Sequence, residues 1–519
     1  MSLQFITGGS GAGKSEYLSR LVCEESVRRP HDNFIVVVPE QYTMETQKKL
    51  VHMHSRKGIL NIDVVSFERL AYKVFEELGG GNRPVLDDTG KNLIVRRVLE
   101  KEKKKLDYFG SSIEKTGFVS ELKSVISELL QYGITPQQLG EIGENVKEKQ
   151  QLSAKLKDIR LVYEEFMAFL STNYITSEEI LDVLCGLVEK SKLIAGSEII
   201  FDGFTGFTPI QYKLMRLLLV YSKGIKISVT IDKKERPTGH EGWNNLFFMS
   251  KEMMNRLIAI CEEEGINVDD TVCVDRDINY RYEGAKDLAY LERNLFRYKG
   301  GVYTGTPENI RIYEGSNPKE ELQYIVSEIL QLTRKEGFRY RDIAVVTADL
   351  ETYGKVAANM MKQNDIPAFL DYKRSVAANP YVEMLCSALE IVEKGYPYDT
   401  MFRYLRTGLT GISRHDIDML ENYCLAVGIR GSRAWHEPWK KKMKRSTYQP
   451  ELETLNALRE QIMAPLLNLE AVLKDKEANV RAYVTAVYEF VTALHSAEQI
   501  KALSECEPAG NEYEQLYAK

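Results

Sequence analysis

Short apolar runs alternate with stretches of helical periodicity along the N-terminal part of the chain. The runs typical of buried strands are Leu3–Ile6, Phe34–Val38 and Ile62–Val65. The apolar face of the first predicted helix includes Tyr17, Leu18, Leu21 and Val22. A second helix is predicted over Phe67–Leu78, ended by Gly79, Gly80 and Gly81. This alternation predicts strand–helix–strand units of a parallel sheet.

The strand pattern disappears between Leu86 and Lys192. Long, charged amphipathic stretches such as Glu121–Tyr132 and Leu152–Leu170 replace it and predict an all-helical insertion. Strand-like runs resume at Glu198–Phe201 and Ile225–Ile231. We therefore expect a first sheet that the insertion interrupts and that these later strands complete.

A second α/β unit is predicted to begin near Asn309. Its expected elements are the strands Ile310–Tyr313, Ile343–Thr347 and Pro367–Leu370 and the helices Lys319–Lys335 and Thr352–Gln363. The chain then has a helical pattern from about Asn379 to Lys519. The unit has too few strands for a full sheet, so we expect a fragment of a longer protein. The predicted fold class is α/β, with two parallel-sheet domains and large helical insertions.

Composition narrows the possible classes of protein. The 519 residues are 44% hydrophobic and 28% charged, as in a soluble, globular, multi-domain chain. The seven cysteines are scattered, so we expect free thiols in a reducing compartment and no zinc or iron–sulfur site within this chain. No signal peptide is apparent, and no apolar run approaches the roughly 20 residues that cross a membrane. We expect a cytoplasmic protein, and its net charge of −6 leaves the partner undecided.

The strongest chemical signal is a phosphate-binding loop between the first strand and the first helix. Its residues are Gly8, Gly9, Ser10, Gly11, Ala12, Gly13, Lys14 and Ser15. The glycines allow backbone N–H groups to surround phosphates, Lys14 can reach the β and γ oxygens, and the Ser15 hydroxyl can bind Mg²⁺. The loop therefore predicts binding of a nucleoside triphosphate, with ATP and Mg²⁺ as the expected cofactors.

A second metal ligand is predicted at the end of a later strand. Asp202 follows the apolar run Ile199–Phe201, where a carboxylate can hold the Mg²⁺ shell. Gly203 stands where a hydrolysing motor would carry a glutamate, and glycine cannot polarise water. Hydrolysis is therefore expected to be poor. The alternative reading is that Asp202 and Gly203 form only a turn that ends the strand.

Several segments, in order along nearly the whole chain, resemble the B subunit of the bacterial AddAB helicase–nuclease. Besides the phosphate loop they are Val-Pro-Glu-Gln-Tyr-Thr at 38–43, Val-Val-Ser-Phe-Glu-Arg-Leu-Ala at 64–71, Ile-Phe-Asp-Gly-Phe-Thr-Gly-Phe-Thr-Pro-Ile-Gln at 200–211, Tyr-Arg-Asp-Ile-Ala-Val-Val-Thr at 340–347, and the stretches 363–375 and 420–431. By analogy with UvrD-like superfamily 1 helicases, the two α/β units are similar to RecA-like domains 1A and 2A. Domain 1A would span 1–85 and 193–300, insertion 1B 86–192, the first part of 2A 301–378, and an incomplete insertion 2B 379–519.

This resemblance implies a helicase-like protein whose motor has degenerated. Gly8, Gly13, Lys14 and Ser15 match the family's nucleotide loop, and Asp202 matches its metal carboxylate. Only seven residues precede Gly8, so the adenine-reading glutamine that active helicases place upstream is missing. Residues 232–234, Asp-Lys-Lys, lack the glutamine that couples nucleotide to DNA, and the arginine motifs of the second domain would lie beyond Lys519.

The resemblance also implies partners and a division of labour. In this family the A subunit drives ATP-dependent unwinding at DNA ends, and the B subunit scans the single strand for the Chi signal. The nuclease domain and its iron–sulfur cysteines would belong only to the full-length protein. We expect this chain to cleave no DNA by itself, because residues 380–519 lack a clustered Asp and Glu-x-Lys pattern after a strand.

Related motors contact DNA through the loop after the second strand and the start of the helix after the third. The corresponding residues are Gln41, Tyr42, Thr43, Ser66, Phe67 and Arg69, with Phe204 and Phe207 as weaker candidates. Their polar groups can read base edges or phosphates, and their rings can stack on bases. The alternatives are that Phe67 is a core aromatic residue and that Thr43 is a helix N-cap.

Other interpretations of the chain stay open. The lysine runs 101–105 and 440–445 are typical of solvated faces, with DNA contact as the alternative. An autonomous phosphate-loop enzyme, either an ATPase or a small-molecule kinase with helical lids, is the competing function. ATP turnover by the chain alone distinguishes the two functions, since a helicase-like part that depends on a partner should show negligible turnover.

Overall fold

The computed structural model describes residues 1–79, 84–113, 115, 117–146, 149–176, 178–236, 242–297, 301–371, 376, 379–443 and 450–506, with the backbone alone at 171–173 and 502–506. The chain divides into two compact units, Met1–Ile312 and Tyr313–Lys519. Some sequence-based assignments fall outside the described residues. These are the helix stop at Gly80 and Gly81, the end of the lysine run at 444–445, parts of the stretch 363–375, the Cys506 side chain and the last part of insertion 2B.

Among the described residues, the strands all belong to the first unit. They are Ser2–Gly8 (β1), Asn33–Val37 (β2), Ile62–Val65 (β3), Val85–Leu86 (β4), Ile175–Thr176 (β5), Ser197–Phe201 (β6), Gly224–Thr230 (β7), Asn267–Val268 (β8) and Val272–Cys273 (β9). The helices of this unit are Lys14–Arg28 (α1), Thr43–Met53 (α2), Phe67–Leu78 (α3), Asp88–Glu102 (α4), Phe118–Gln131 (α5), Pro136–Asn145 (α6), Gln150–Asn173 (α7), Ile180–Cys185 (α8), Lys192–Ala195 (α9), Pro209–Tyr221 (α10), Phe248–Glu264 (α11) and Lys286–Asn294 (α12).

One parallel sheet organises the first unit. Its order is β3-β2-β6-β7-β1-β8, and β9 also pairs with β1. The pairing of Val37 with Phe201 and of Gly8 with Thr230 aligns the carboxyl ends of the strands. Because β6 and β7 follow the insertion in sequence yet lie between β2 and β1, the predicted interrupted sheet is confirmed. The carboxyl edge of such a sheet is where α/β proteins bind ligands.

Alternating side chains of the strands explain why the sheet is covered on both faces. Leu3 and Phe5 of β1 pack into a core with residues of α3, α10 and α11, such as Val74. Ile6 faces the opposite side and packs against Leu18 of α1. Apolar side chains therefore cover both faces of the sheet, which is typical of parallel sheets.

The insertion is helical, as predicted, apart from one short pair of strands. Helices α4, α5 and α7 enclose a core that includes Val95, Leu99 and Phe166. β4 and β5 form a two-residue parallel pair outside the main sheet, which the all-helical prediction missed. Two-residue strands are too short to produce a period-2 pattern.

The regular elements among the described residues of the second unit are one 3₁₀ turn, Tyr340–Asp342, and a series of α-helices. The helices are Pro318–Lys335 (α13), Leu350–Gln363 (α14), Pro380–Lys394 (α15), Tyr398–Leu405 (α16), Arg414–Val427 (α17), Ser432–His436 (α18), Leu452–Leu473 (α19), Val480–Ala493 (α20) and Ser496–Cys506 (α21). The helices α13 and α14 pack together through Val326 and Met361. The helical prediction after Asn379 is confirmed for the described residues, where Tyr404 and Leu466 lie in a single core.

The three strands predicted for the second α/β unit are wrong for the described residues. Ile310–Tyr313, Ile343–Thr347 and Pro367–Leu370 are irregular and pair with no strand there. Ile312, Val346 and Phe369 are 95%, 91% and 89% exposed. An apolar run forms a strand only where a neighbouring backbone satisfies its N–H and C=O groups, and no such ladder is present among these residues. The α/β class is confirmed by the sheet of the first unit alone.

The described residues contain neither a disulfide bond nor a helix suited to crossing a membrane. The six cysteines whose side chains are described are all free thiols. Among the described residues, none of the helices combines the length and apolar character needed to cross a membrane.

Candidate nucleotide site and nucleic-acid interface

The phosphate loop lies between the end of β1 and the start of α1. Gly11 and Gly13 have φ values of 71° and 95°, in the left-handed region that favours glycine. Gly13 is the N-cap of α1 and supplies no side chain to cap the helix. The positive end of α1 is therefore left to an anion, as the sequence predicts.

Lys14 lies curled over the loop. Its Nζ donates hydrogen bonds to the carbonyl oxygens of Gly8 and Gly9, both at 2.9 Å. Burial lowers the pKa of Lys14, although the nearby carboxylates of Asp202, Asp275 and Glu292 act in the opposite direction. The amine is thus a partly desolvated cation held by two weak neutral acceptors, which phosphate oxygens can replace.

The two predicted metal ligands lie together. Ser15 Oγ donates to Asp202 Oδ1 at 3.1 Å, and the same oxygen accepts a hydrogen bond from Ser228 Oγ at 2.6 Å. A hydroxyl and a carboxylate oxygen form the hard donor set that Mg²⁺ prefers. Ser228 was not predicted from the sequence, although a serine between Ile227 and Val229 was a usable signal; the structure buries it in β7.

Gly203 has a structural reason to be glycine as well as a chemical consequence. Its φ is 85°, and a Cβ there would lie 3.4 Å from Pro39 Cδ. Its N–H donates to Ser228 Oγ at 3.3 Å. Ser228 therefore fixes both the turn at Gly203 and the carboxylate of Asp202. Gly203 itself offers no carboxylate to orient water.

A segment that carries no recognisable motif lies against the loop. Ser10 N donates to Glu292 Oε1 at 3.2 Å, and Asn279 Nδ2 donates to Ser10 O at 3.3 Å. The ring of Tyr280 approaches within 3.5 Å of the position where a Cβ of Gly13 would lie. A carboxylate on a loop amide shows that the loop presents its N–H groups to anions, so its geometry fits phosphate. The short strands β8 and β9, which bring this segment back to β1, have no sequence signal.

The loop after β2 exposes two of the predicted DNA-contacting residues. Gln41 and Tyr42 lie on the surface, in a single turn of 3₁₀ helix over Glu40–Tyr42. Thr43 is buried, and its Oγ1 donates to the Glu40 carbonyl oxygen at 2.9 Å. Thr43 begins α2 and Tyr42 is the N-cap, so the N-cap alternative for Thr43 is wrong.

Glu40 joins this loop to the start of α3. Its Oε2 accepts a hydrogen bond from Ser66 Oγ at 2.8 Å, and its Oε1 lies 3.4 Å from Arg69 Nε. Ser66 is the N-cap of α3, where Oγ accepts from Arg69 N. The Arg69 side chain remains 58% exposed. No sequence pattern marks Glu40 as the bridge between the two loops, because the bridge depends on the pairing of β2 with β3.

The predicted aromatic residues form one cluster. Phe67 is 8% exposed, with ring centroids 5.4 Å from Phe204 and 6.0 Å from Phe207. Phe201 of β6 packs beneath them, 5.7 Å from Phe67. Phe67 therefore has the burial of a core aromatic, the alternative weighed for it, while Phe204 and Phe207 are half-buried. The cluster connects the ends of β3 and β6.

The lysine runs are largely consistent with solvated faces. Lys101 Nζ lies 2.5 Å from a Glu165 carboxylate oxygen, and Lys105 Nζ lies 2.6 Å from one of Glu102. Lys440, Lys441 and Lys442 are exposed. Pairing with acids lowers the net field that the first run presents to DNA.

Known proteins are similar to this sequence along its whole length. Residues 5–292 match the family model described as ADDB, N-terminal. The chain is 40% identical over 529 residues to a Lachnoclostridium phytofermentans protein named as the B subunit of an ATP-dependent helicase/deoxyribonuclease, with 100% of this chain and 46% of that protein covered. Proteins of the same name from Clostridium novyi (33% identity; 96% and 43% covered) and Clostridioides difficile (34%; 97% and 44%) are also similar. The chain spans less than half the length of these curated relatives.

Proposed function

The chain belongs to the family of AddB N-terminal regions, and on that premise we propose that it is the helicase-like part of the B subunit of a heterodimeric helicase–nuclease. The complex would process double-strand DNA breaks for recombinational repair, with a motor-bearing A subunit as partner and DNA ends as substrate. The nuclease domain and its iron–sulfur cluster would lie in the remainder of the full-length protein. The helicase/deoxyribonuclease names of the relatives support this assignment.

One observation carries the proposal that this part inspects a single strand. β3, β2 and β6 are neighbours in the sheet, and the loops at their carboxyl ends are joined by contacts of Glu40 and of the Phe67 cluster. This arrangement leaves Gln41, Tyr42 and Arg69 exposed together on a fixed base. Amide, phenol and guanidinium groups can read base edges and phosphates, so this surface suits scanning for Chi.

The phosphate loop would bind ATP with Mg²⁺ but support little hydrolysis. Lys14 would hold the β and γ phosphates, while Ser15 and Asp202 would hold the metal, which neutralises phosphate charge when bound. Gly203 stands where a hydrolysing motor has a glutamate, so no carboxylate at that position would orient the attacking water.

Binding of single-stranded DNA tests the proposed scanning surface. Arg69→Ala should weaken binding of a labelled oligonucleotide, measured by fluorescence anisotropy, by roughly tenfold, since one lost base or phosphate contact costs about 1–3 kcal/mol. Arg28→Ala is the matched control, because Arg28 is 74% exposed at the far end of α1. Equal affinity of wild type, Arg69→Ala and Arg28→Ala would contradict the assignment.

A further inference from the structure

Residues 274–292, here named the loop cover, lie along the phosphate loop. Val274 N donates to Thr7 O at 2.9 Å at one end of the contact, and Arg281 N donates to Gly11 O at 3.3 Å near the other. A Cβ on Gly11 would come within 2.6 Å of Arg281 Cβ. The cover therefore approaches the loop backbone as closely as glycine permits.

Two carboxylates of the cover lie at the phosphate cradle. Glu292 Oε1 accepts a hydrogen bond from the Ser10 N–H at 3.2 Å and lies 3.2 Å from the Cβ position of Gly9. Asp275 Oδ1 lies 3.4 Å from that same position, and it is buried without a hydrogen-bond partner among the described residues. A buried carboxylate oxygen without a hydrogen bond costs free energy, so this position of the cover against the loop leaves one polar group unsatisfied.

An amide of a phosphate loop normally meets a phosphate oxygen, and a carboxylate oxygen can make the same charge-assisted hydrogen bond. A triphosphate in the cradle would also bring three or more negative charges close to Glu292 and Asp275. While the cover is closed, the hydrogen bond of Glu292 to Ser10 and the negative charges of Glu292 and Asp275 therefore both oppose nucleotide binding.

We propose that the loop cover is an internal competitor of nucleotide, in which Glu292 occupies the place of a phosphate oxygen at the Ser10 amide. ATP–Mg²⁺ binds by displacing this carboxylate and moving the cover away from the loop. The inference rests on the proposed nucleotide binding at Lys14. It links occupancy of the phosphate loop to the position of residues 274–292.

Nucleotide affinity tests the competition directly. In the 519-residue chain, Glu292→Gln should bind a fluorescent ATP analogue with Mg²⁺ about tenfold more tightly than wild type, because it removes the charge and weakens the bond to Ser10. Glu283→Gln is the matched control. Glu283 belongs to the same segment, and its contact is with Arg276 at 3.8 Å rather than with the loop. Equal affinity in all three proteins would overturn the competition and leave nucleotide binding intact.

Hydrogen exchange provides a second readout that needs no hydrolysis. Without nucleotide, the peptide containing Ser10 should exchange faster in Glu292→Gln than in wild type or Glu283→Gln. With ATP–Mg²⁺, the Ser10 peptide should become protected while residues 276–285 exchange faster. Protection of both segments by nucleotide would overturn the displacement. Absence of nucleotide binding in every variant would instead refute the proposed nucleotide function, and the inference with it.

Discussion

The Lys14 ammonium donates to two uncharged carbonyl oxygens, and its burial removes water that would otherwise solvate its charge. The lowered pKa of Lys14 reflects its burial, which the neighbouring carboxylates only partly offset. A triphosphate offers the same amine charged oxygens and so replaces weak acceptors by strong ones. We therefore expect the proposed affinity of the loop for nucleotide to depend on this one side chain more than on any other.

Replacing Lys14 by alanine should abolish measurable ATP–Mg²⁺ binding in isothermal titration of the purified chain. Lys49→Ala is the control, because Lys49 pairs with Glu16 at 3.0 Å on exposed helix surfaces. Unchanged ATP affinity in Lys14→Ala would mean that the nucleotide binds elsewhere. Turnover of tens of ATP per second by the wild-type chain alone would favour the autonomous enzyme.

Groups that are contiguous in the chain are predictable from the sequence, whereas groups that meet through folding are not. The phosphate loop is one unbroken motif, and Asp202 is marked by the strand before it. Glu40 and Glu292 have no such marks. Glu40 reaches Ser66 across the pairing of β2 with β3, and Glu292 reaches Ser10 because β9 returns to β1. The sequence around Glu40 and Glu292 does not reveal these strand pairings, so the two contacts could not be predicted.

Among the elements, α3 shows what makes a boundary predictable. Its predicted span, Phe67–Leu78, is confirmed because both ends carry local signals: Ser66 caps the first turn and Gly79 adopts a φ of 74° at the end. The wrong strands of the second unit carry an apolar run but no information about a pairing partner. β8 and β9 have two residues each, too few for any periodicity.

The helix α12, which carries Glu292, is tied to the following chain by Asp287. The Asp287 carboxylate accepts hydrogen bonds from the N–H groups of Glu308 and Asn309, at 2.9 and 2.7 Å. These bonds and one from the Asn309 side chain lower the pKa of Asp287 to about 2. A carboxyl with a depressed pKa stabilises the fold above its unfolded value, about 3.9, and loses that contribution as pH falls through its folded value.

Asp287→Asn should therefore lower the urea midpoint of unfolding at about pH 7. The difference from wild type should shrink below about pH 4 and be largely lost as the pH falls through about 2, and it should disappear near pH 1, where both side chains are neutral. Urea titrations of both proteins across this range, followed by circular dichroism, measure it. A difference that stays constant with pH would show that the charge of Asp287 has no part in the effect.

Over the whole molecule, one sheet edge unites two proposed activities. The phosphate loop follows β1, the metal carboxylate follows β6, and the proposed reading loops follow β2 and β3, all at aligned carboxyl ends. Such an edge in a motor converts hydrolysis into movement, whereas Gly203 offers no carboxylate that could orient water. Under the proposed function, this chain would inspect the strand and a partner subunit would drive movement.

Unwinding and signal response, measured together in the proposed full-length complex with an A subunit, test the proposed division of labour. Single-molecule traces on DNA carrying the signal sequence give both quantities for wild type, Gln41→Ala and Arg69→Ala, with Arg28→Ala as the control. We predict that Gln41→Ala and Arg69→Ala lose the response to the signal while their unwinding rate stays within about twofold of wild type, a difference of only a few tenths of a kcal/mol in the barrier. A normal signal response in both variants, or an equal loss of unwinding, would contradict the assignment of inspection to this chain.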